Sequence, residues 1–377
     1  MTEMTKMTEH PSELKRTALC AEHEARGARM VGFAGWYMPV EYTGVRSEHL
    51  AVRSSVGLFD VSHMGEIFVR GPAALATLEW LTTNSVAKLE AGQAQYSLLP
   101  NLEGGIVDDI IVYCIEKGLE YLVCVNASNV AKDFAWMNAH NRGAQIVNES
   151  ERWSQVAIQG PSALALVGRV LGEGAIPTAA FNFRGISYRG VPCWVARTGY
   201  TGEDGVEVFI ANEQVVSFWR DLLAQGELDA VVPVGLAARD TLRTEMKYSL
   251  YGNEIDETTN PYAAGLGWVV KPQAKDFLGK AALLAAKERG LAHKLVGFEL
   301  IERGIPRHGY KLFSFDNKEI GRVTSGTMSP SLDKPIGIGY IESGWANVGS
   351  EFAVDIRGRH VKARVVKTPF IIPGGGA

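Results

Sequence analysis

DDIIVYCIEKGLEYLVCVN, residues 108–126, sets two β-rich runs on either side of Glu116, Lys117, Gly118 and Leu119, and that pattern predicts a β-hairpin. With those four residues as the loop, Ile115 pairs with Glu120, and counting outward places Asp109 opposite Asn126 on a shared face. Period-two alternation then puts Asp109, Ile111 and Tyr113 on one face of the first strand and Asp108, Ile110 and Val112 on the other. Only one of the two adjacent aspartates therefore points into a given cavity. A different loop length shifts the cross-strand pairing and leaves the alternation intact.

Working outward, GEIFVRGPAALATLEWL from Gly65 and SQVAIQGPSALALVGRVL from Ser154 each read as strand, Gly-Pro, helix. Pro72 and Pro161 suit a first helical turn, where the missing N–H has no intrahelical partner. The echo has two readings of equal weight: two related α+β units framing one cavity, or a common preference of strand-to-helix turns for Gly-Pro. Amphipathic helices follow at about 211–225, 235–249 and 279–288. After residue 293 the texture changes to short alternating runs (KLVGFEL, YKLFSF, EIGRVTS, IGIGYI, EFAVDI, VKARVVK) separated by Gly, Pro, Asn and Asp. That reads as a compact β-barrel or sandwich. The leader through Thr17 and the closing PFIIPGGGA read as loose ends. The coarse result is an α+β body with a C-terminal β domain.

A chain of 377 residues is too long for one ordinary core and suggests two or three domains. With 46% hydrophobic and 21% charged residues it has a soluble globular balance. No apolar run approaches the length of a membrane span, and the leader lacks the apolar core of a secretory signal. A net charge of −4 gives no reason to expect nucleic acid or a lipid surface as partner. Cys20, Cys114, Cys124 and Cys193 show neither zinc-site spacing nor disulfide density, which fits a reducing cytoplasm. Cys114 and Cys124 lie in apolar strand patterns and read as inert packing.

The Asp108-Asp109 pair after Gly104-Gly105 lacks the further ligands a divalent ion needs, so no metal site is expected. His63, in DVSHMGE, has no second ligand nearby and reads as a structural, hydrogen-bonded histidine. Phosphate-binding glycine motifs are missing. In RTGYTGEDGVEVFI, residues 197–210, Glu203, Asp204 and Gly205 read as a solvated turn. Glu207, set between Val206 and Val208, is a strand carboxylate that beside a cavity could accept two hydrogen bonds from an amidine-like edge such as a pterin. Arg239, Arg243 and Lys247 recur every four residues; the usual reading is a solvated face, and the alternative is that Arg239 borders a cavity and orients a ligand carboxylate or carbonyl.

Seven segments, in order and over nearly the whole chain, resemble the aminomethyltransferase, or T-protein, family of the glycine cleavage system. They are MVGFAGWYMPVEY, VRSSVGLFDVSHMGE, QYSLLPNLEGGIVDDIIVY, RTGYTGEDGVE, GLAARDTLRTEMKYSLYGNEID, TNPYAAGLGWVVK and RVTSGTMSPSL. The resemblance implies an α+β, three-domain, cloverleaf-like fold with folate in a central opening and a C-terminal β-barrel. The expected partition is 1–50 with 130–240, 51–129 with 241–285, and 290–377. By the same resemblance Asp109 is the catalytic carboxylate, and Tyr96, Tyr113, Asn126, Tyr200, Glu207 and Arg239 line the folate pocket, with Glu207 on the pterin. The implied reaction takes an aminomethyl group from the lipoyl arm of the carrier H-protein to tetrahydrofolate, releasing ammonia and forming 5,10-methylenetetrahydrofolate. Two relatives of this pattern compete: a folate-dependent demethylase acting on a small methylated compound, and a noncatalytic folate-binding factor for iron–sulfur assembly. The second carries a K-G-C-Y-x-G-Q-E type motif that this sequence lacks.

Overall fold

The computed structural model describes residues 13–373; the rest of the leader and of the closing glycine-rich segment lie outside the described residues. The hairpin forms from strands Ile106–Glu116 and Glu120–Val125. Ile111 pairs with Cys124 and Tyr113 with Leu122, the expected register, but the turn differs. It is three residues long, and Glu116 rather than Ile115 pairs with Glu120. The strand bulges at Ile115, which absorbs the extra residue and preserves the register beyond it.

This hairpin is the middle of a five-stranded sheet, ordered Gln93–Pro100, Ile106–Glu116, Glu120–Val125, Gly65–Arg70, Gln145–Asn148. A six-stranded sheet has the order Phe183–Tyr188, Val191–Ala196, Gly205–Ala211, Trp153–Gln159, Gly57–Asp60, Val232–Pro233. In each sheet a strand (Gly65–Arg70 or Trp153–Gln159) leads into a helix (Ala74–Leu81 or Ala163–Leu171). A three-stranded meander follows, whose last strand returns to pair antiparallel with the first. The shared topology favours related units over a shared turn preference. Pro72 and Pro161 lie just before the helices rather than in their first turn. The glycines ahead of them take positive φ, +93° at Gly71 and +133° at Gly160. At Gly160 a Cβ would sit 2.2 Å from the Ser55 carbonyl oxygen, so the strand-to-helix turn there tolerates no side chain.

Both faces of the hairpin are covered, which is why its strands are apolar on both sides. Ile110, Val112 and Cys114 pack with Leu78, Leu81 and Met137 beneath the helices. Tyr113 packs on the other face with Phe68, Phe183 and Phe209, where the two sheets meet. The outer face of the second sheet buries Phe218, Trp219 and Leu222 of helix Asn212–Gln225, each contributing about 1.5–3 kcal/mol. The layers therefore run helix, sheet, sheet, helix.

Beyond residue 293 six strands close into a barrel around Phe298, Phe352 and Val354. A polar clamp joins it to the body. Glu245, near the end of helix Leu236–Met246, accepts hydrogen bonds from Ser329, from the Ser331 backbone N–H at 3.1 Å and from Arg53 Nη2 at 2.8 Å. His49 Nε2 lies 3.2 Å from it. These partners hold the Glu245 carboxyl down at about 2 against the opposing effect of burial.

Several surface expectations are corrected. The end of the leader is not loose: Leu14 is buried, and Thr17 donates to buried Asp60 at 2.7 Å. Phe370 is tied to the Glu245 carbonyl through its backbone N–H at 2.8 Å. Glu203 is not a solvated turn residue, because its side chain is buried against Arg53 at 2.9 Å. Helix Leu236–Met246 has no solvated cationic face: Arg243 is 1% exposed and bonded to Glu254, Asp240 and Ser325. All four cysteines are free and buried, and burial pushes the Cys124 thiol well up.

Candidate active site

Where strands are buried on both faces, a part-exposed polar residue marks an opening. Asp109 and Glu207 are such breaks in their strands, and Tyr96, Asn126, Tyr200 and Arg239 are part-exposed as well. Tyr113 is buried at 1% exposure. The structure gathers these residues around the junction of the two sheets and the helix Leu236–Met246.

Asp109 is held from two sides. Tyr96 OH donates to its Oδ2 at 3.0 Å, and Asn126 Nδ2 lies 2.8 Å from its Oδ1. Asp108 turns away and is fully buried; it accepts from the Asn126 backbone N–H at 3.0 Å and from Asn129 Nδ2 at 2.6 Å. Asn126 Nδ2 also reaches Asp108 Oδ1 at 2.8 Å, so one amide ties the two acids together. Burial first, and then the charge of Asp108, push the Asp109 carboxyl up to about 7. Behind Asp108, buried Asp133 is pushed up to about 11, by burial and then by Asp108. Asp133 is thus the neutral member of the acid cluster.

The Gly104-Gly105 pair serves packing. Asn101 Oδ1 receives the Gly105 N–H at 2.7 Å, and a Cβ on Gly105 would lie 1.7 Å from the Glu257 carbonyl oxygen. The close approach of that segment accounts for the glycine. No cluster of three or more metal-ligating side chains occurs among the described residues.

Glu207 lies on the second sheet. Thr198 Oγ1 donates to its Oε2 at 2.5 Å, and Tyr113 OH lies 3.3 Å from the same threonine oxygen. Burial raises the Glu207 carboxyl, opposed by Thr198, Arg239 and Gln155. The Arg239 guanidinium sits over the Tyr200 ring at 4.4 Å, and the Tyr200 hydroxyl is anchored on the Ser249 carbonyl.

Three participants were not singled out by sequence reasoning as site residues. Trp268 stacks on Tyr96, centroids 5.8 Å apart and planes at 17°, and is 59% exposed; its signal was an isolated tryptophan in a glycine-rich loop. Thr198 links Tyr113 to Glu207. His63, expected to be hydrogen-bonded, has an Nδ1 with no partner among the described residues. It lines a cleft with Asn126 and Arg239, and burial, then Arg239, lower it to about 4.

Part-exposed polar groups converging beside aromatic rings are the chemistry of a small-molecule site, here in an α+β body carrying a closed barrel. The chain belongs to the glycine cleavage T-protein, or aminomethyltransferase, family: the family model "GCVT N-terminal domain" matches residues 19–274 and "Glycine cleavage T-protein C-terminal barrel domain" matches residues 293–371. It is 61% identical over 358 residues to the aminomethyltransferase of Bdellovibrio bacteriovorus, covering 95% of this chain and 99% of that one. To that of Halothermothrix orenii it is 46% identical over 359 residues, covering 95% and 100%. The solved glycine cleavage system aminomethyltransferase T from Bartonella henselae superposes with a TM-score of 0.89 at 35% identity, covering 96% and 99%. No described helix is long and apolar enough to cross a membrane.

Proposed function

We propose that the chain transfers the one-carbon unit of an aminomethyl group, carried on the dihydrolipoyl arm of an H-protein, to tetrahydrofolate, releasing ammonia and forming 5,10-methylenetetrahydrofolate. Asp109 is the catalytic carboxylate, and Tyr96, Tyr113, Asn126, Tyr200, Glu207 and Arg239 line the folate pocket. The three-part partition of the chain and a cytoplasmic location belong to the same reading. The observation that carries it is the setting of Asp109, a part-exposed acid fixed by Tyr96 and Asn126 and raised to about 7.

The residues present fit the acceptor. A pterin offers a flat face and an N–H edge. Tyr96 and Trp268 supply stacked aromatic surface, and Glu207 supplies a half-buried carboxylate for the edge, where reduced dielectric strengthens a charge-assisted bond. Bound tetrahydrofolate supplies the nitrogens that accept the carbon. Positive charge develops beside those nitrogens, and Asp109, already oriented, stabilises it or relays a proton without reorganising. The Tyr96 and Asn126 donors keep the carboxyl in place through the change of charge.

The test mixes purified protein with tetrahydrofolate and aminomethylated lipoyl carrier protein and follows ammonia and 5,10-methylenetetrahydrofolate together. Equal formation of both, lost in Asp109→Asn, supports the proposal. Folate binding without either product refutes it and points to a demethylase or a noncatalytic folate protein.

A further inference from the structure

Gln155 is a buried amide that no role described above uses. It is 2% exposed on strand Trp153–Gln159, where it pairs with buried Phe209 while Ala157 pairs with Glu207. Residues 155 and 207 are therefore diagonal neighbours on one face, a separation that two long side chains span. That face looks toward the first sheet, where Cys124 Sγ lies 3.7 Å from Gln155 Oε1. The thiol has a hydrogen to give, so it fixes which end of the amide is oxygen. The Nε2 end is left facing Glu207, and its hydrogen bond helps hold that carboxyl down against the upward push of burial. An amide nitrogen carries two hydrogens and Glu207 takes one. Burying the second without an acceptor is a cost that a ligand atom relieves.

We propose that Gln155 is a specificity-determining residue of the folate pocket: beside the Glu207 acceptor, its amide supplies the donor that reads the 4-oxo group of the pterin. The inference rests on the folate reading above, with Glu207 on the pterin, and names the group that meets the neighbouring atom. The pterin edge runs 2-amino, N3–H, 4-oxo, which is donor, donor, acceptor. A carboxylate has about four lone-pair sites. Thr198 takes one at 2.5 Å and Gln155 a second, which leaves two for the paired pterin donors. An amide N–H already bonded to that carboxylate lies alongside it and matches the third atom. The edge of the protein then runs acceptor, acceptor, donor. A ligand with a donor in the third place sets two N–H groups against each other and leaves both unpaired, the arrangement that gives strong rejection.

Calorimetric titration with tetrahydrofolate and with its analogue bearing an amino group in place of the 4-oxo, alongside thermal melts and the KM for aminomethylated carrier, tests this. Wild type prefers the 4-oxo ligand, and equal binding of the two overturns the proposal before any substitution is made. Gln155→Met keeps the length of the side chain and removes both N–H groups. Its Kd for tetrahydrofolate rises about tenfold, the effect of losing one hydrogen bond, its preference for the 4-oxo ligand narrows about tenfold, and its carrier KM stays within about twofold. Gln155→Glu shares one hydrogen with Glu207 and turns an acceptor to the ligand, so the preference moves toward the 4-amino analogue; this variant keeps the proposal testable if Gln155→Met does not fold. A Kd that rises equally for both ligands marks a packing role and overturns the proposal. Tetrahydrofolate affinity that falls in Glu207→Gln but not in Gln155→Met overturns this inference alone, and affinity unchanged in both overturns the pterin contact with it.

Discussion

The acid pair at residues 108 and 109 makes the rate sensitive to pH in a way that two substitutions separate. Asp109 is pushed up to about 7 by desolvation and then by the like charge of neighbouring Asp108, although Asp108 points to the opposite face. If the ionised form is the working one, a carboxyl with that midpoint is charged in about one molecule in ten at a pH one unit lower. Wild-type kcat/KM then falls about tenfold per unit below neutrality and levels off above it. Asp108→Asn removes the second cause. A neighbouring like charge typically moves a carboxyl by about one unit or more, so the midpoint shifts to about pH 6 or lower. Asp109→Asn loses about 10²-fold or more of the plateau rate, about 2.7 kcal/mol and upward, and loses the limb with it. Asp108→Asn is milder on the plateau, although Asn126 and Asn129 give up part of their anchor. Ammonia release followed from about pH 5.5 to about pH 9 in the three proteins decides the matter. A limb that persists in Asp109→Asn, moves alkaline in Asp108→Asn, or is accompanied by equal plateau losses in both would refute the reasoning.

Glu207→Gln weakens tetrahydrofolate binding by about tenfold before it affects turnover; an unchanged calorimetric affinity counts against a pterin contact. Glu245→Ala removes the shared partner of Arg53 and His49 at the barrel junction, leaving Arg53 only Glu203 as a charged partner, and costs about 3 kcal/mol in a urea melt. The Glu245 carboxyl is lowered from 4.5 to about 2 in the folded protein. Its stabilisation is therefore fully present above about pH 4.5 and is lost as pH falls toward about 2, and a variant retaining the wild-type acid limb would contradict this. Glu66, buried with neither carboxyl oxygen partnered among the described residues, is raised well above its ordinary value by burial. The folded state keeps its proton while the unfolded chain releases it, so stability falls as pH rises above about 4.5. Thermal midpoints of Glu66→Gln should gain on wild type between about pH 4.5 and about pH 8, and a constant gap argues otherwise.

The sequence made local features plain and left distant ones open. Alternation separated Asp108 from Asp109 and sorted their strand into two faces, which the structure packs toward Phe209 on one side and Met137 on the other, because period two is a property of the backbone. Hairpin register survived an error in loop length, since the bulge at Ile115 restored it. A C-terminal β domain, barrel or sandwich, was legible from turn residues between short alternating runs, and the choice of barrel came from the family resemblance. What escaped was nonlocal. Arg53 meets Glu203 and Glu245, partners about 150 and 190 positions away, so periodicity could not distinguish Arg243 or Glu203 from solvated charges. Trp268 was visible as a residue and silent as a stacking partner, because its contact with Tyr96, about 170 positions earlier, depends on how the short 3-10 turn Gly267–Val269 packs against a distant strand.

Helix Leu236–Met246 joins two parts of the molecule that share no chemistry. Arg239 presents its guanidinium to the pocket, and six residues later, about 9 Å along the axis, Glu245 holds the barrel. A helix of this length moves as one body, so a shift of the barrel carries Arg239 with it. Thermodynamic reciprocity gives the converse: a ligand that draws on Arg239 must tighten the seating of the barrel by as much free energy as a well-seated barrel lends to the ligand.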